Sequence, residues 1–128
     1  MGAQVKIKQQ GEWGIGKQAP AVFCPRYHQA IELIGRRWTG AILRVLFTGR
    51  QRFHEIGEAV PGLSDRLLTE RLRELEAHGI ARRHVASGPP VRVEYELTPQ
   101  GRELGSAMSA VAAWAEKWIP LEAPAKAV

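Results

Sequence analysis

The sequence predicts a mainly α-helical fold with one small β-hairpin, which is an α+β class. Apolar residues recur at a spacing of three or four through most of residues 25–78, as they do on one face of a helix. After Gly79 the spacing becomes two, because apolar and charged residues alternate over 91–97. A helical pattern returns after Pro99. The predicted order is therefore four helices, a hairpin and a last helix.

The first three helices are short, and their ends are marked by proline, glycine or a capping residue. Pro25 suits the first turn of a helix that continues to about Ile34 and stops at Gly35. Thr39 is expected to cap a second helix, AILRVLF, whose apolar residues occupy most of its circumference, as in a central core helix, before Gly49 ends it. The third helix is predicted by three apolar residues at helical spacing, Phe53, Ile56 and Val60, and a Pro-Gly turn follows it.

The fourth predicted helix, within GLSDRLLTERLRELEAHGI, has two chemically different faces. Ser64 is placed to cap it and Gly79 to end it. Because each residue rotates by about 100°, three leucines share one narrow sector, which we assign to the core. They are Leu68, Leu72 and Leu75. The opposite sector holds Arg66, Thr69, Glu70, Arg73 and Ala77.

The third and fourth helices together indicate nucleic-acid binding. A short helix, a tight turn and a second helix with hydroxyls and guanidiniums in its first turns form a helix-turn-helix, whose second helix enters the major groove. Arg66 and Arg73 could fork onto guanine or clamp phosphate, and Thr69 could contact phosphate or a thymine methyl. Ser64 would place backbone N–H groups near a phosphate. Glu70 would either accept from a cytosine amino group or pair with Arg66 or Arg73.

The predicted hairpin is also bordered by arginines. Its strands, at residues 80–86 and 92–97, flank an SGPP tip, so that it would protrude as a wing toward phosphates or the minor groove. The arginines placed to make those contacts are Arg82, Arg83 and Arg92. Arg71 lies beside the leucine sector, and we assign it to packing or an ion pair. The alternative is an ordinary amphipathic helix followed by an ordinary hairpin.

Composition supports a polyanionic partner. The chain of 128 residues carries a net charge of +5, and all 13 arginines lie between Arg26 and Arg102. That span holds nine acids and no lysine, which leaves a net charge of +4. The planar guanidinium fork matches phosphate oxygens and guanine edges. A basic surface that only increases solubility is the alternative on composition alone.

Other functional classes find little support in the sequence. HEIGE at residues 54–58 begins like a zinc-protease helix, but Glu58 stands where the second histidine is required. The four histidines lack metal-ligand spacing, and the glycines follow no phosphate-loop pattern, so we expect no enzyme, metal or cofactor. No apolar run approaches the roughly 20 residues of a membrane span, and the N-terminus lacks a signal-peptide pattern. We therefore expect a soluble, cytoplasmic protein.

Four separated segments occur in the order and spacing of a known family: Cys24-Pro25, AIELIGRRWTGAILRVLFTGRQRF, PGLSDRLLTERLRELEAHGI and VRVEYELTPQGREL. They resemble the HxlR-type transcriptional regulators, a branch of the winged-helix regulators related to the MarR group. The resemblance runs from about Cys24 to Trp118. It divides the chain into an N-terminal arm at 1–23, a DNA-binding and dimerisation domain at 24–118, and a flexible tail at 119–128. The arm and the pair Arg36-Arg37, where glycine-lysine is commoner, depart from the family pattern.

The resemblance implies a winged helix-turn-helix that dimerises through its first and last helices. Two recognition helices would then read a roughly palindromic double-stranded DNA operator, with half-sites about one helical turn apart, as a repressor or an activator. Residues of the last helix suit such a dimer interface: Met108, Val111, Trp114, Ala115 and Trp118. Alternatively the tryptophans complete the core of the monomer, or the winged helix serves protein–protein contact.

Cys24 is the single cysteine and precedes a helix start, where peptide dipoles and a nearby Arg26 would stabilise a thiolate. Some relatives use a cysteine at this position as an oxidation or electrophile sensor. Without a second cysteine, a switch requires a disulfide across the dimer, a mixed disulfide or an adduct. The alternatives are a small apolar group under the dimer interface, and control by a small molecule instead. That molecule would bind in a pocket lined by Phe23, Trp38 and Trp114.

Overall fold

The computed structural model describes residues 22–121. Most of the predicted arm and tail, at residues 1–21 and 122–128, lies outside the described residues. The chain divides into two compact units, with the boundary along the sequence between Arg36 and Arg37, and each is described by itself. Within residues 22–121, no helix is both long enough and apolar enough to cross a membrane.

The described part of the first unit contains helix α1 (Pro25–Ile34). Pro25 occupies the first turn, where a backbone N–H has no helical partner to lose. Cys24 is the N-cap residue, and its Sγ accepts a hydrogen bond from the backbone N–H of Tyr27 at 3.5 Å. Gly35 ends the helix. The predicted helix and both of its ends are confirmed.

The second unit begins with α2 (Thr39–Leu46), which buries Ile42, Leu43 and Leu46 as a core helix. The prediction that Thr39 caps this helix was wrong. Trp38 holds the cap position with a left-handed φ of 77°, and Thr39 is the first helical residue. The Thr39 hydroxyl is buried and has no hydrogen-bond partner among residues 22–121. A threonine before an apolar run is therefore buried here instead of capping.

Helices α3 (Phe53–Ala59) and α4 (Asp65–Ala77) form the predicted helix-turn-helix. Ile56 is the buried residue of α3, and the three predicted leucines of α4 are buried together with Arg71. Gly62 in the turn has a φ of 89°, and a Cβ at this position would lie 3.3 Å from Cη2 of Trp38. The indole of Trp38 thus packs over the turn that sets the angle between the two helices.

The sheet has three antiparallel strands in the order β1-β3-β2. Strands β2 (Ala81–Ala86) and β3 (Arg92–Leu97) confirm the predicted hairpin, while β1 (Gln51–Arg52) was not predicted. Arg83 pairs with Tyr95 and Arg82 with Glu96. Because successive side chains point to opposite faces, Arg83 shares the face of Tyr95, whereas Arg82 lies on the other face.

The last predicted helix is divided into α5 (Pro99–Arg102) and α6 (Leu104–Trp118). Thr98 caps α5 as predicted, since its hydroxyl accepts from the backbone N–H of Gly101 at 3.1 Å. The same hydroxyl contacts the carbonyl of Gly79, which ties α5 to the end of α4. Gly101 is buried, and a side chain there would collide with the backbone carbonyl of Ile80.

Candidate nucleic-acid interface

The N-terminal end of α4 is built as the sequence predicts. The Ser64 hydroxyl accepts a hydrogen bond from the backbone N–H of Leu67 at 3.2 Å, which confirms the cap. Asp65 in the first turn complements the helix dipole. The Thr69 hydroxyl donates to the backbone carbonyl of Asp65 at 2.9 Å. A rigid first turn therefore holds the side chains that follow it.

The outer face of α4, defined as Arg66, Glu70, Arg73 and Ala77, is exposed, and Thr69 beside it is partly exposed. Arg66 and Arg73 make no ion pair or hydrogen bond with any residue in the range 22–121. Arg83 and Arg92 of the hairpin are likewise exposed and unpaired within the described range. Four of the predicted DNA-contacting arginines thus keep all of their donors available to a ligand.

Arg71 shows the opposite behaviour, as predicted. It is 6% exposed, and its Nε donates to the backbone carbonyl of Arg37 at 2.9 Å. Its Nη1 lies 3.2 Å from Glu74 and 3.5 Å from Glu70. Of the two alternatives for Glu70, pairing with Arg66 or Arg73 is not observed, because Glu70 lies beside the anchored guanidinium of Arg71. Glu70 remains exposed enough to meet a second partner.

Arg82 differs from Arg83 although the two are adjacent. Its Nε lies 3.5 Å from Glu96, which also accepts from His84 Nε2 at 3.0 Å and from Arg50 at 3.4 Å. The hydrogen bond from His84 and the positive charge of Arg50 lower the pKa of Glu96 below its usual value. The predicted arginines of the hairpin therefore divide into one engaged in this network and two that are free. The role of Arg50 in it was not predicted.

A groove of about 400 Å³ joins α4 to the hairpin. Its lining comes from both elements: Thr69, Arg73, Glu76, Arg83 and Tyr95. The alternation over residues 91–97 predicts that Tyr95 lies on the apolar face of its strand, and Glu76 was not predicted as a residue of the site. The helical spacing of Glu76 seven positions after Thr69 would have placed it on this side of α4.

The residues predicted to form the dimer interface fall into two groups. Val111 and Trp114 are each 58% exposed and Trp118 is 64% exposed, although all three are large and apolar. Met108 and Ala115 are half-buried, and the Met108 side chain lies beside Gly40 of α2. The exposed group forms an apolar face on α6, with the Lys117 ammonium 5.4 Å from the Trp118 ring.

The residues predicted for sensing and for a ligand pocket are placed as follows. Cys24 is half-buried at the start of α1. Trp38 packs over Gly62, with the guanidinium of Arg37 5.1 Å from its ring. Phe23 belongs to the first unit, whereas Trp38 and Trp114 belong to the second. The ligand pocket predicted between these three residues therefore stays a prediction. Within residues 22–121, no three His, Cys, Asp or Glu side chains are grouped to hold a metal ion.

Comparison with known proteins identifies the family. The model for the HxlR-like helix-turn-helix matches residues 33–123. The chain belongs to this family. Transcriptional regulator YodB from Bacillus subtilis is 42% identical over 95 residues, which cover 74% of this chain and 85% of YodB. The reduced form of YodB superimposes with a TM-score of 0.69 at 41% identity, over 77% of this chain and 96% of that one.

Two further solved structures resemble this HxlR-like chain. The redox regulator HypR in its oxidised form has a TM-score of 0.71 at 36% identity, over 77% of this chain and all of HypR. A regulator of the MarR family from Enterococcus faecalis has a TM-score of 0.66 at 31% identity, over 92% and 94% of the two chains. The predicted family, its relation to the MarR group and the winged helix-turn-helix fold are confirmed. This HxlR-like protein is a transcriptional regulator of the helix-turn-helix type.

Proposed function

We propose that this regulator acts as a homodimer and binds a near-palindromic operator in double-stranded DNA in a sequence-specific manner. The observation that carries the proposal is the set of exposed, unpaired arginines on α4 and the hairpin: Arg66, Arg73, Arg83 and Arg92. Guanidinium groups that serve the fold are bound within it, as Arg71 is. Groups left free along the outer face of a recognition helix and on its wing suit phosphates and base edges.

The roles of the individual side chains follow from their positions. Arg66 and Thr69 lie in the first turns of α4, the part of a recognition helix that contacts base edges. The Ser64 cap leaves further N–H groups of the first turn facing a phosphate. Glu70 beside them would accept from a cytosine amino group. Arg92 near the tip of the hairpin would reach a phosphate or the minor groove.

The test is a selection of duplexes from a random pool by the purified protein, followed by salt titration of binding to the selected duplex and to its scrambled form. A sequence-specific reader keeps a large preference for the selected duplex as salt weakens both complexes, about 10³-fold or more. A winged helix that docks onto an acidic protein would enrich no sequence and show equal affinity for both duplexes, which would refute the proposal.

We further propose that Cys24 connects oxidants or quinones to DNA binding. YodB has been solved in reduced, diamide-treated and quinone-bound forms, and HypR in reduced and oxidised forms. In this chain the half-buried Cys24 sulfur caps α1 and accepts from the backbone N–H of Tyr27. The thiol would add to a ring carbon of a quinone, which takes up the thiol proton and becomes a hydroquinone joined to Cys24 by a thioether bond. Alternatively, the thiols of two subunits would lose two protons and two electrons to an oxidant and form a disulfide.

The Cys24 proposal is tested by measuring affinity for the selected duplex before and after treatment with diamide or a benzoquinone. We expect the treatment to change the affinity of the native protein at least several-fold and to leave that of Cys24→Ser unchanged. Serine is a matched replacement because its hydroxyl can cap α1 as the thiol does. Equal responses of the two proteins would remove Cys24 from the signal pathway and leave the DNA-binding proposal intact.

A further inference from the structure

The groove between α4 and β2 has free hydrogen-bond donors on both of its walls. Arg73 lies on the helix side and Arg83 on the strand side, and neither is paired within residues 22–121. Two guanidinium groups that line one groove of about 400 Å³ repel each other unless an anion lies between them. The hairpin register explains the arrangement, because Arg83 pairs with Tyr95 and faces the helix.

Tyr95 supplies an independent observation at the same place. It is 8% exposed and lines the groove, yet its hydroxyl has no hydrogen-bond partner among the described residues 22–121. Its oxygen does not belong to the buried polar atoms that lack a partner, so the hydroxyl is the accessible end of an otherwise buried ring. The other hydroxyl of the groove, on Thr69, already donates to Asp65. Tyr95 therefore has an unused donor next to two unused guanidiniums.

A group that presents only acceptors and a negative charge satisfies all three donors. Where a recognition helix lies in the major groove and a wing reaches the minor groove, the DNA strand between the two grooves passes between helix and wing. We propose that the groove between α4 and β2 seats one backbone phosphate of the operator, held by Arg73, Arg83 and the Tyr95 hydroxyl. This inference rests on the proposed function, and it assigns Arg73 to the DNA backbone instead of a base.

Glu76 lies on the same groove and is exposed. Its carboxylate makes no ion pair with Arg73 or Arg83 within the described range. A carboxylate beside a phosphate is unfavourable, so Glu76 lowers the affinity of the seat for any DNA, irrespective of sequence.

The experiment measures how affinity for the selected duplex depends on salt in the full-length protein. The variants are Arg73→Gln, Arg83→Gln and the double variant, with Arg44→Gln as the control. The slope of log K against log salt counts about 0.9 per neutralised phosphate. If both arginines hold one phosphate, the double variant loses about 0.9 per subunit in total. The control, whose exposed arginine lies on α2 and does not line the groove, keeps the native slope.

Several outcomes would overturn the proposal that Arg73 and Arg83 hold one phosphate between them. A double variant that loses about 1.8 per subunit would show two separate phosphates. Unchanged slopes, or an equal loss in Arg44→Gln, would show that the groove holds none. A wild-type protein that binds duplexes without preference, or binds none, refutes the proposed function itself. The two failures are therefore distinguishable.

Two neutral replacements test the roles of the Tyr95 hydroxyl and the Glu76 carboxylate, by measuring affinity for the selected and the scrambled duplex. Tyr95→Phe removes only the hydroxyl and is expected to weaken binding about 3- to 10-fold on both duplexes with an unchanged salt slope. Glu76→Gln is expected to strengthen binding to both by a similar factor. Native affinity in Tyr95→Phe, with the fold verified by circular dichroism, would exclude the phenol from the seat. Weaker binding in Glu76→Gln would contradict the role given to the carboxylate.

Discussion

Arg71 and Arg73 lie two positions apart on α4 and meet opposite surroundings. Two positions on a helix turn a side chain by about 200°, so one guanidinium faces the rest of the fold when the other faces solvent. Arg71 binds the carbonyl of Arg37 and the carboxylate of Glu74, whereas Arg73 is exposed and unpaired within residues 22–121. The difference follows from the leucine spacing, which is why it was predictable from the sequence.

Gly62 is required by the turn for two reasons. Its φ of 89° is strained for any other residue, and an added Cβ would meet the Trp38 ring at 3.3 Å. We predict that Gly62→Ala lowers the free energy of unfolding by about 1 to 3 kcal/mol, measured by urea denaturation. Gly49→Ala is the control, because Gly49 also has a positive φ but a Cβ there meets nothing within 4 Å. An equal loss in both variants would show that contact with Trp38 contributes nothing.

Two expectations at this scale concern polar side chains. Thr39 was predicted to cap α2 and is buried, whereas Glu70, for which pairing with Arg66 or Arg73 was one of two alternatives, meets Arg71. In each case the local pattern permits several partners. The choice among them is made by residues distant in sequence, such as Arg37, whose carbonyl holds Arg71 in place. A one-dimensional pattern carries no information on such contacts.

Among the elements, the hairpin is the one whose strands are connected by a network of charged side chains. Glu96 on β3 accepts from His84 and is paired with Arg50 and Arg82, so that one carboxylate connects β2, β3 and the segment before β1. Its lowered pKa means that the folded hairpin favours the ionised form. This stabilisation is present at and above the ordinary pKa of glutamate, and it is lost as the pH falls through the lower pKa of the folded state.

We predict that the hairpin loosens on acidification below the ordinary glutamate pKa and that Glu96→Gln removes this response. The measurement is amide hydrogen exchange in β3 as a function of pH, corrected for the intrinsic exchange rate. Glu103→Gln is the control, because Glu103 is exposed and outside the network. An acid response that persists unchanged in Glu96→Gln would show that the ionised carboxylate does not hold the hairpin.

The limits of sequence reasoning at the scale of elements have physical causes. The hairpin and α4 were predictable because their periods of two and 3.6 are long enough to be recognised. Strand β1 has two residues, which define no period, and it exists because Gln51 and Arg52 pair with β3. The close approach of Gly101 in α5 to the Ile80 carbonyl is a tertiary contact, which a sequence pattern does not reveal.

The sequence predicts where the candidate interface lies, but not which of its arginines are free and which are paired within the fold. The outer face of α4 came directly from helical rotation. The separation of Arg82 from Arg83 required the pairing register of β2 with β3, and the groove required both elements to be placed together. Tyr95 was missed because a tyrosine on the apolar side of a strand is usually core.

At the scale of the whole molecule, the exposed face of α6 favours association of two copies. Val111, Trp114 and Trp118 lie on one side of the helix and are more than half exposed. We predict that Val111→Asp weakens dimerisation at least about tenfold, because a charge in an apolar interface lacks a partner. The measurement is sedimentation equilibrium, with Ser106→Asp, an exposed position on the same helix, as the control. A native dissociation constant in Val111→Asp would place the interface elsewhere.

The central claim is that the outer face of α4 reads bases, and Arg66 tests it most directly. The measurement is the affinity of Arg66→Ala for the selected and the scrambled duplex at one salt concentration, with Arg44→Ala on α2 as an exposed control of equal charge. We predict a loss of about 1 to 3 kcal/mol on the selected duplex in Arg66→Ala alone. On the scrambled duplex, Arg66→Ala should lose much less. Equal losses on the two duplexes, or native affinity for both, would contradict the claim.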